Sequence, residues 1–196
     1  MRRNNFCKPL LTCVLLVVSA YASAWDIADL MQRLSSHRSG RATFTETTYL
    51  NVLDKPVESS GELAFAAPGS LQKITLKPKR EVMLLQGDTL TIERKARKQQ
   101  LRMSDYPQLA VFVDSIRGTL MGDRTALERN YQLTLSGDAQ AWSLELTPKG
   151  EAAKTVRAVK ISGSGERVQA IEIAQADGDR SVMRIQNDVF DADAAP

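Results

Sequence analysis

Residues 81–94, EVMLLQGDTLTIER, decide the fold class of this chain. After the Gly87-Asp88 pair, Leu90 and Ile92 alternate with threonines, which is the period-two pattern of a strand with one apolar face. A Gly-Asp pair between two strand-like runs is typical of a tight two-residue turn. The stretch therefore predicts an antiparallel hairpin with strands at residues 81–86 and 89–94.

The same kind of pattern extends outward from this hairpin in both directions. Strands are predicted on its two sides at residues 41–53, 57–66, 71–77 and, more weakly, 98–103. Five more are predicted at residues 131–136, 141–147, 155–162, 168–174 and 180–187. Short turn clusters separate the strands, which favours meander hairpins over parallel βαβ units. We expect a mainly β (α+β) fold in which ten or eleven strands form one curved, partly closed antiparallel sheet.

Two segments with helical spacing interrupt the strands. One helix is predicted at residues 26–37, with Asp26 as its N-cap and the Ser39-Gly40 pair as its end. A longer helix is predicted at residues 107–121, followed by a helical turn at residues 123–129. The apolar stripe of the longer helix comprises Leu109, Phe112, Val113, Ile116 and Leu120. We expect these helices to lie against the concave face of the sheet.

The first 24 residues have the parts of a secretory signal peptide. Basic residues including Arg2 and Arg3 precede an almost wholly apolar run at residues 10–20. Ala22-Ser23-Ala24 then supplies the small-x-small pattern of a cleavage site. The apolar run is too short for a spanning helix, which needs about 20 apolar residues. We therefore expect cleavage after Ala24 and a freely soluble protein in the periplasm of a Gram-negative bacterium.

Cleavage would change the composition that matters for function. The full chain has 26 basic and 23 acidic residues, and three of the basic ones precede residue 25, so the remainder is neutral. Cys7 and Cys13 also precede it, which excludes a disulfide or a thiolate nucleophile in the remainder. We expect no nucleic-acid partner, one domain at residues 25–187 and a flexible acidic tail at residues 188–196.

Residues suited to catalysis are scarce. The single histidine, His37, lies at the predicted end of a helix, and no serine occupies a G-x-S-x-G context. One histidine without cysteines makes a zinc or iron site unfavourable, and a glycine-rich phosphate loop is missing from the sequence. We expect no catalytic residues, no metal and no cofactor. A serine hydrolase that uses His37 is kept as a third, unfavoured hypothesis.

Apolar residues repeat at period two along several predicted strands and give each strand one apolar face. With the helical stripe they can form either an ordinary filled core or the wall of an apolar cavity, and periodicity does not distinguish the two. If a cavity forms, the residues expected to line it are Phe44, Leu63, Phe65, Leu90, Ile92, Leu109, Phe112, Ile116, Leu133, Trp142, Leu144, Leu146, Ile171 and Ile173.

A basic cluster occupies residues 73–102, where nine basic residues face three acidic ones. One interpretation is a docking surface for an acidic partner protein or for anionic lipid head groups. The other is a solvated edge, because lysines on an exposed strand block edge-to-edge pairing. The candidate docking residues are Lys77, Lys79, Arg80, Arg94, Lys95, Arg97 and Lys98.

The order of several short motifs resembles the LolA family of periplasmic carriers of outer-membrane lipoproteins. After the signal peptide and first helix come Ala42-Thr43-Phe44-Thr45-Glu46 and Ser60-Gly61-Glu62-Leu63, the latter running into Pro68-Gly69. Leu85-x-Gly87-Asp88-x-Leu90 follows. Residues 121–128, 144–148 and 176–181 are similar to a LolA-related branch found beside pigment gene sets. The resemblance covers nearly all of the chain after residue 24.

This resemblance implies an unclosed half-barrel whose helices act as a lid over an apolar cavity for acyl chains. An inner-membrane donor complex would supply the cargo and an outer-membrane acceptor would receive it. Family members usually carry an arginine just before the strand-ending proline, where it holds the lid closed, but here Ala67 takes that place. Glu46 replaces a common glutamine, and Leu90-Thr91 replaces Leu-Trp. The lid would therefore be held differently, and a free lipid or a lipid-linked pigment precursor is as reasonable a cargo as a lipoprotein.

The leading hypothesis is a monomeric periplasmic carrier that binds acyl chains and delivers them toward the outer membrane. In that case the helix at residues 107–121 is the natural moving part, and Gly118 and Gly122 would act either as hinges or as a packing site and a cap. The alternative is a non-carrier module of the same fold that senses lipoproteins or binds a protein partner.

Overall fold

The computed structural model describes residues 25–95 and 97–190. The predicted signal peptide at residues 1–24 and the last six residues of the chain lie outside this range. Within the described range, no helix has both the length and the apolar character needed to cross a membrane.

The chain begins with helix α1, Ile27–Leu34, which the sequence predicted. Asp26 is its N-cap, and Asp26 and Asp29 form a capping box in which each carboxylate accepts the other residue's backbone N–H. The predicted end was wrong, because the helix stops at the Ser35 C-cap and Ser39 and Gly40 already belong to the first strand. The capping residues thus located the start of α1 better than its end.

Six strands follow as a meander of antiparallel hairpins. Their bounds are β1 Ser39–Tyr49, β2 Val57–Ala66, β3 Ser70–Lys77, β4 Glu81–Gln86, β5 Thr89–Arg94 and β6 Arg97–Arg102. The hairpin at residues 81–94 has the expected register, with Glu81 opposite Arg94 and Gln86 opposite Thr89. Gly87 has φ +58°, a value that favours glycine in such a tight turn.

A helical segment then crosses from this half of the sheet to the other. A short 3-10 helix, Met103–Asp105, leads into α2, Pro107–Leu120, and α3, Arg124–Asn130. Pro107 occupies the first turn of α2, where its missing N–H costs no hydrogen bond. The Asp123 carboxylate caps α3 by accepting the Ala126 N–H at 2.9 Å.

Five further strands complete the sheet. They are β7 Tyr131–Gly137, β8 Trp142–Pro148, β9 Val156–Ser164, β10 Arg167–Gln175 and β11 Arg180–Phe190, with a 3-10 helix at Gly150–Lys154 before β9. Because β11 continues to Phe190, residues 188–190 belong to the sheet and not to the predicted tail. Gly40 pairs with Phe190 and Arg41 with Val189, so the predicted domain boundary at 187 falls three residues early.

All eleven strands form one antiparallel sheet in the order β6-β5-β4-β3-β2-β1-β11-β10-β9-β8-β7. In the described residues β6 and β7 remain edge strands and do not pair with each other, so the sheet is an unclosed half-barrel with helices on one face. The sequence prediction of a mainly β fold with such a sheet is confirmed. The pairing of β1 with β11 joins its two halves.

The two halves differ in how completely their concave face is covered. In the β7–β10 half, residues of α1 and α3 pack with inward-facing strand residues into the main core; its buried members include Leu30, Leu34, Leu127, Tyr131, Trp142, Leu144, Leu146 and Ile161. In the β3–β5 half, three of the described residues are buried together, namely Leu85, Leu90 and Met103, and they form a second and smaller cluster. The space between these clusters is the candidate site.

Candidate functional site

The floor of the site is built from rows of side chains that the strand register places side by side. One row crosses the sheet through Ala42, Leu63, Lys73, Met83 and Ile92. The next row contains Gly40, Phe65, Leu71, Leu85 and Leu90. Since side chains alternate between the two faces of a strand, each row lies on the same concave face. The result is a nearly continuous apolar floor with one lysine in it.

Helix α2 forms the wall opposite this floor. Leu109 and Val113 pack against the small cluster of Leu85, Leu90 and Met103, while Phe112 and Ile116 pack against the main core. The helix therefore rests on both halves of the sheet without filling the space between them. The stripe predicted from helical spacing is the face that the helix turns toward the sheet.

Floor and wall enclose a partly open cavity of about 410 Å³, within the usual size range of ligand pockets. Nine of the fourteen predicted lining residues line it, namely Leu63, Phe65, Leu90, Ile92, Leu109, Phe112, Ile116, Ile171 and Ile173. Polar lining is confined to a few side chains, among them His37, Glu46, Lys73 and Glu166. The cavity can therefore hold an elongated apolar group.

The other five predicted residues lie outside this lining. Leu133, Trp142, Leu144 and Leu146 belong to the core of the β7–β10 half, where α1 and α3 fill the concave face. Phe44 shares the concave face but is only 2% exposed, because the Lys73 side chain lies over its ring with Nζ 4.9 Å from the ring centroid. Period two identified the correct face of these strands, whereas the helices decided which half is filled.

Several lining residues escaped the sequence analysis, including Leu34, Leu71, Met83, Leu85, Val113, Met183 and Ile185. In β3 the apolar residues Leu71 and Ile74 lie on opposite faces, and in β4 the run from Val82 to Leu85 has no alternation. Such strands carry no period-two signal that selects a face. Val113 could have been found from helical spacing, because it already belongs to the apolar stripe predicted for the longer helix.

The lysine in the floor is neutralised by a neighbouring strand. Lys73 Nζ lies 2.5 Å from Glu46 Oε2, and the Ser59 hydroxyl donates to the same oxygen at 3.3 Å. The Glu46 side chain is 13% exposed, so the pair is largely withdrawn from water. Glu46 is a departure from the glutamine that is usual in LolA-like proteins. In the structure its carboxylate pairs with Lys73, and the pair leaves the floor without net charge.

A second polar group lies near the other end of the cavity. The His37 ring stacks on Phe190, with centroids 3.9 Å apart, and His37 Nε2 is 4.0 Å from Glu166 Oε1. This nitrogen is buried and has no hydrogen-bond partner among the described residues. The sequence placed His37 only at the predicted end of a helix, whereas in the structure it lines the cavity.

Arg117 connects α2 to the turns at one edge of the floor. Its Nη1 donates to the Gly87 carbonyl at 3.3 Å, its Nη2 pairs with Asp114, and its aliphatic stem lies beside Gly69. Ala67, the position at which LolA-like proteins usually carry an arginine, lies two residues before Gly69. In this chain an arginine from α2, Arg117, contacts the turn beside that position.

The two glycines at the end of α2 have packing roles. A Cβ at Gly118 would lie 2.7 Å from Cδ2 of Leu127, so the missing side chain lets α3 approach α2. Gly122 has φ +62°, and a Cβ there would lie 2.1 Å from the Met31 carbonyl oxygen. These contacts favour the packing and cap alternatives over hinges.

The predicted docking residues lie away from the cavity floor. Lys77, Lys79 and Arg80 flank the turn between β3 and β4, while Arg94, Lys95, Arg97 and Lys98 flank the turn between β5 and β6. All seven are exposed, and Arg94 pairs with Glu81. Because β6 is an edge strand, the edge interpretation applies to Arg97 and Lys98 but not to the residues around the β3–β4 turn.

Comparisons with known proteins agree with this architecture. The family model described as outer membrane lipoprotein carrier protein LolA-like matches residues 19–195. An outer-membrane lipoprotein carrier protein of Dechloromonas aromatica is 27% identical over 187 residues, covering 93% of this chain and 86% of that protein.

Solved structures show the same fold at low sequence identity. A LolA superfamily protein of Nitrosomonas europaea has a TM-score of 0.50 and 12% identity, with 87% of this chain and 93% of that chain covered. A chain in the Pseudomonas aeruginosa MucA/MucB complex also has a TM-score of 0.50, with 16% identity and coverage of 87% and 58%. With its family model matched over nearly the whole length, this chain belongs to the LolA-like family of outer-membrane lipoprotein carrier proteins.

Proposed function

We propose that this protein is a periplasmic carrier that binds the acyl chains of a lipoprotein or lipid in the cavity under α2 and delivers them toward the outer membrane. The observation that supports this most directly is the partly open 410 Å³ cavity between an apolar sheet floor and the apolar stripe of α2. Family membership supports the lipoprotein as cargo and the periplasm as compartment.

Apolar burial supplies enough affinity for such a carrier. Each methylene transferred from water to an apolar site contributes about 0.8 kcal/mol, so a long acyl chain needs no polar recognition to bind. The Glu46–Lys73 pair satisfies itself and leaves the floor uncharged, which keeps the cavity compatible with a hydrocarbon chain. Release then requires either that α2 closes onto the floor or that an acceptor offers a more favourable apolar surface.

The proposed action is binding and release without bond chemistry. His37 contacts Phe190 and Glu166, and its position at the cavity suits a wall residue. An inner-membrane donor complex and an outer-membrane acceptor are the proposed partners, and the carrier is proposed to act as a monomer. Full activity on a test ester after His37→Ala would exclude the third hypothesis, a serine hydrolase that uses this histidine.

Native mass spectrometry of detergent-free protein, followed by titration with a fluorescent fatty acid, tests the carrier. We expect bound lipid of defined chain length, or uptake of the fatty acid by lipid-free protein. Leu63→Gln places an amide in the floor and should weaken uptake roughly tenfold, because an unpaired buried amide costs about 1–3 kcal/mol. Glu62→Gln is the matched control, since Glu62 is the exposed preceding residue on β2 and points to the opposite face.

Two results would contradict the proposal. One is a lipid-free mass together with no uptake of the fatty acid. The other is equal weakening by Leu63→Gln and Glu62→Gln, because cavity binding predicts an effect only on the concave face. Circular dichroism of both variants shows whether the sheet is intact.

A protein-binding or sensor module is the second candidate. It is favoured by the likeness to a chain of the MucA/MucB complex, which at 16% identity concerns the fold alone. A stable protein partner that copurifies with the lipid-free chain would support this candidate. A monomer that copurifies with lipid would support the carrier.

A further inference from the structure

One end of the sheet exposes large aliphatic side chains to solvent. The β1–β2 hairpin ends in a tip at residues 50–56, where Val52 is 87% and Leu53 is 49% exposed. Tyr49 and Val57, which flank the tip, and Leu76 near the end of β3 are also exposed. Such side chains clustered at one site mark an interaction surface more often than scattered single ones do.

Hydrogen bonds to the β10–β11 turn hold this hairpin tip in place. The Asn51 N–H donates to Asp179 Oδ1 at 2.8 Å, and the Asn51 side-chain amide donates to the Asp177 carbonyl at 2.6 Å. The Arg180 guanidinium lies 4.5 Å from the centroid of the Tyr49 ring. Val52 and Leu53 are thus presented to solvent by an anchored loop.

The antiparallel order of the strands brings the basic residues to the same end. Residue 49 ends β1, residue 57 begins β2 and Lys77 ends β3 opposite Ser60, so the β3–β4 turn lies near the hairpin tip. Glu81 opposite Arg94 brings the β5–β6 turn to that end as well. We call Lys77, Lys79, Arg80, Arg94 and Lys95, which lie outside the edge strand β6, the basic turns, and all five are exposed.

Protection of the sheet edge does not account for this arrangement. Lys77, Lys79 and Arg80 flank β3 and β4, which are interior strands and need no protection against edge pairing. The carboxylates at this end are those of Asp54, Glu58, Glu81, Glu93, Asp177 and Asp179. Lys55, Arg180 and the seven exposed basic residues that flank the two turns outnumber these six carboxylates by three, so this end is positive. The meeting of exposed aliphatic side chains with an excess of basic over acidic residues therefore needs another explanation.

We propose that the hairpin tip and the basic turns dock this protein on the surface of an anionic lipid bilayer. The aliphatic side chains enter the boundary between head groups and acyl chains, while lysine and arginine contact the anionic head groups. Each basic residue near such a surface contributes about 1 kcal/mol of binding. A bilayer is favoured over an acidic protein because the side chains that project furthest at the tip are aliphatic, with Val52 87% exposed, and aliphatic side chains gain more from entering the acyl-chain boundary than from facing carboxylates.

The docking end lies close to the cavity. Along β1 the lining residues run from Gly40 to Glu46, and the hairpin tip begins four residues after Glu46, which is a distance of about 14 Å along an extended strand. Docking by the tip would therefore bring the Glu46–Lys73 side of the cavity near the bilayer surface. The docking itself does not depend on whether the cavity takes acyl chains.

Vesicle flotation tests the proposal. The protein used is residues 25–196, purified after export so that the apolar run at residues 10–20 is absent. We expect binding to vesicles of phosphatidylcholine and phosphatidylglycerol in equal amounts, weakened by salt, and little binding to phosphatidylcholine alone. Lys79→Ser with Arg80→Ser should weaken binding about 25-fold, that is, about fivefold for each residue. Val52→Ser with Leu53→Ser should also weaken it strongly.

Matched controls lie elsewhere on the molecule. Val189→Ser changes a side chain that is 60% exposed at the opposite end of the sheet, and Arg129→Ser changes an exposed basic residue on α3. Both controls should bind as the unaltered protein does. Because all of these positions are exposed, every variant should fold and take up the fluorescent fatty acid normally, which separates this proposal from the carrier function.

Three outcomes would overturn the proposal. The first is no binding to the mixed vesicles, and the second is equal losses in the tip variant and the Val189 control. The third is binding of poly-L-glutamate as tight as that of the vesicles and indifferent to the tip variant, which would assign the surface to an acidic protein. Loss of fatty-acid uptake with intact vesicle binding would count against the carrier and leave membrane docking standing.

Discussion

Tyr131, the first residue of β7, shows how one side chain ties the sheet to the helix that forms the cavity wall. It is buried, and its hydroxyl donates to the Val111 carbonyl of α2 at 2.8 Å. Burial disfavours the phenolate and raises the pKa of Tyr131 to about 12. The phenol therefore stays protonated in the folded protein at pH values where tyrosines of the unfolded chain ionise.

Tyr131→Phe should lower the free energy of unfolding by about 1 kcal/mol near neutral pH, the usual contribution of one hydrogen bond. The folded pKa lies above the unfolded value of about 10, so the stability linked to this group is complete below pH 10 and is lost as the pH rises toward 12. The variant lacks this alkaline loss. Urea unfolding of both proteins from about pH 8 to pH 11.5 should show their difference shrinking above pH 10.

Tyr106→Phe is the control for this measurement, because Tyr106 is 44% exposed. It should leave the free energy of unfolding near neutral pH almost unchanged, because an exposed hydroxyl can bond to water in both the folded and the unfolded chain. Curves for the unaltered protein and Tyr131→Phe that stay parallel up to pH 11.5 would contradict the assignment.

At the scale of elements, α2 is held at the floor by contacts of different kinds. Its apolar stripe packs on both core clusters, Tyr131 bonds its Val111 carbonyl, and Arg117 reaches the Gly87 carbonyl from its last turns. The contact of Arg117 is the most exposed of these and joins the helix to turns at the floor's edge. If α2 moves to admit cargo, this contact should break most easily, because water can replace the hydrogen bonds of an exposed arginine.

Arg117→Ala should raise backbone amide hydrogen exchange in the second half of α2 about fivefold, because local opening loses a contact of about 1 kcal/mol. Exchange in the interior strands should be unchanged. Arg124→Ala is the control, since Arg124 makes an exposed ion pair with Glu128 within α3 and should not affect α2. Unchanged exchange of α2 in Arg117→Ala would show that the apolar stripe alone holds the helix.

At the scale of the whole molecule, the sheet depends on one seam between sequence-distant strands. β1 pairs with β2 on one side and with β11 on the other, so β11 connects the β1–β6 half to the β7–β10 half. The last pairs of this seam are Gly40 with Phe190 and Arg41 with Val189, and Phe190 also stacks on His37. Residues 188–190 thus close one end of the seam beside the cavity.

A chain ending at residue 187 should be less stable than a chain ending at residue 190 by about 1–3 kcal/mol. The shorter chain loses two strand pairs and the stacking of Phe190 on His37, and each such contact contributes about 1 kcal/mol. Urea midpoints of the two truncated chains measure the difference. Equal midpoints would mean that the end of β11 contributes nothing and that the boundary at 187 is the functional one.

Several elements could be predicted closely from local patterns. The Gly87-Asp88 turn, the Asp26 cap and Pro107 at the start of α2 depend on backbone conformations that a few neighbouring residues determine. The end of α1 was missed, because Ser39 and Gly40 pair with residues of β2 and β11 that are far away in sequence. Strand β11 was ended too early for the same reason.

The class of the fold, the alternation of strands and turns, and the apolar face of most strands could be predicted from the amino-acid sequence, because these follow from spacing between near neighbours. Which apolar residues fill a core and which line a cavity could be read from the folded structure alone. That choice depends on where α1, α2 and α3 settle on the sheet, and so on contacts between residues far apart in the chain. The same holds for the Lys73–Glu46 pair and for the meeting of the hairpin tip with the basic turns, which strand register alone brings together.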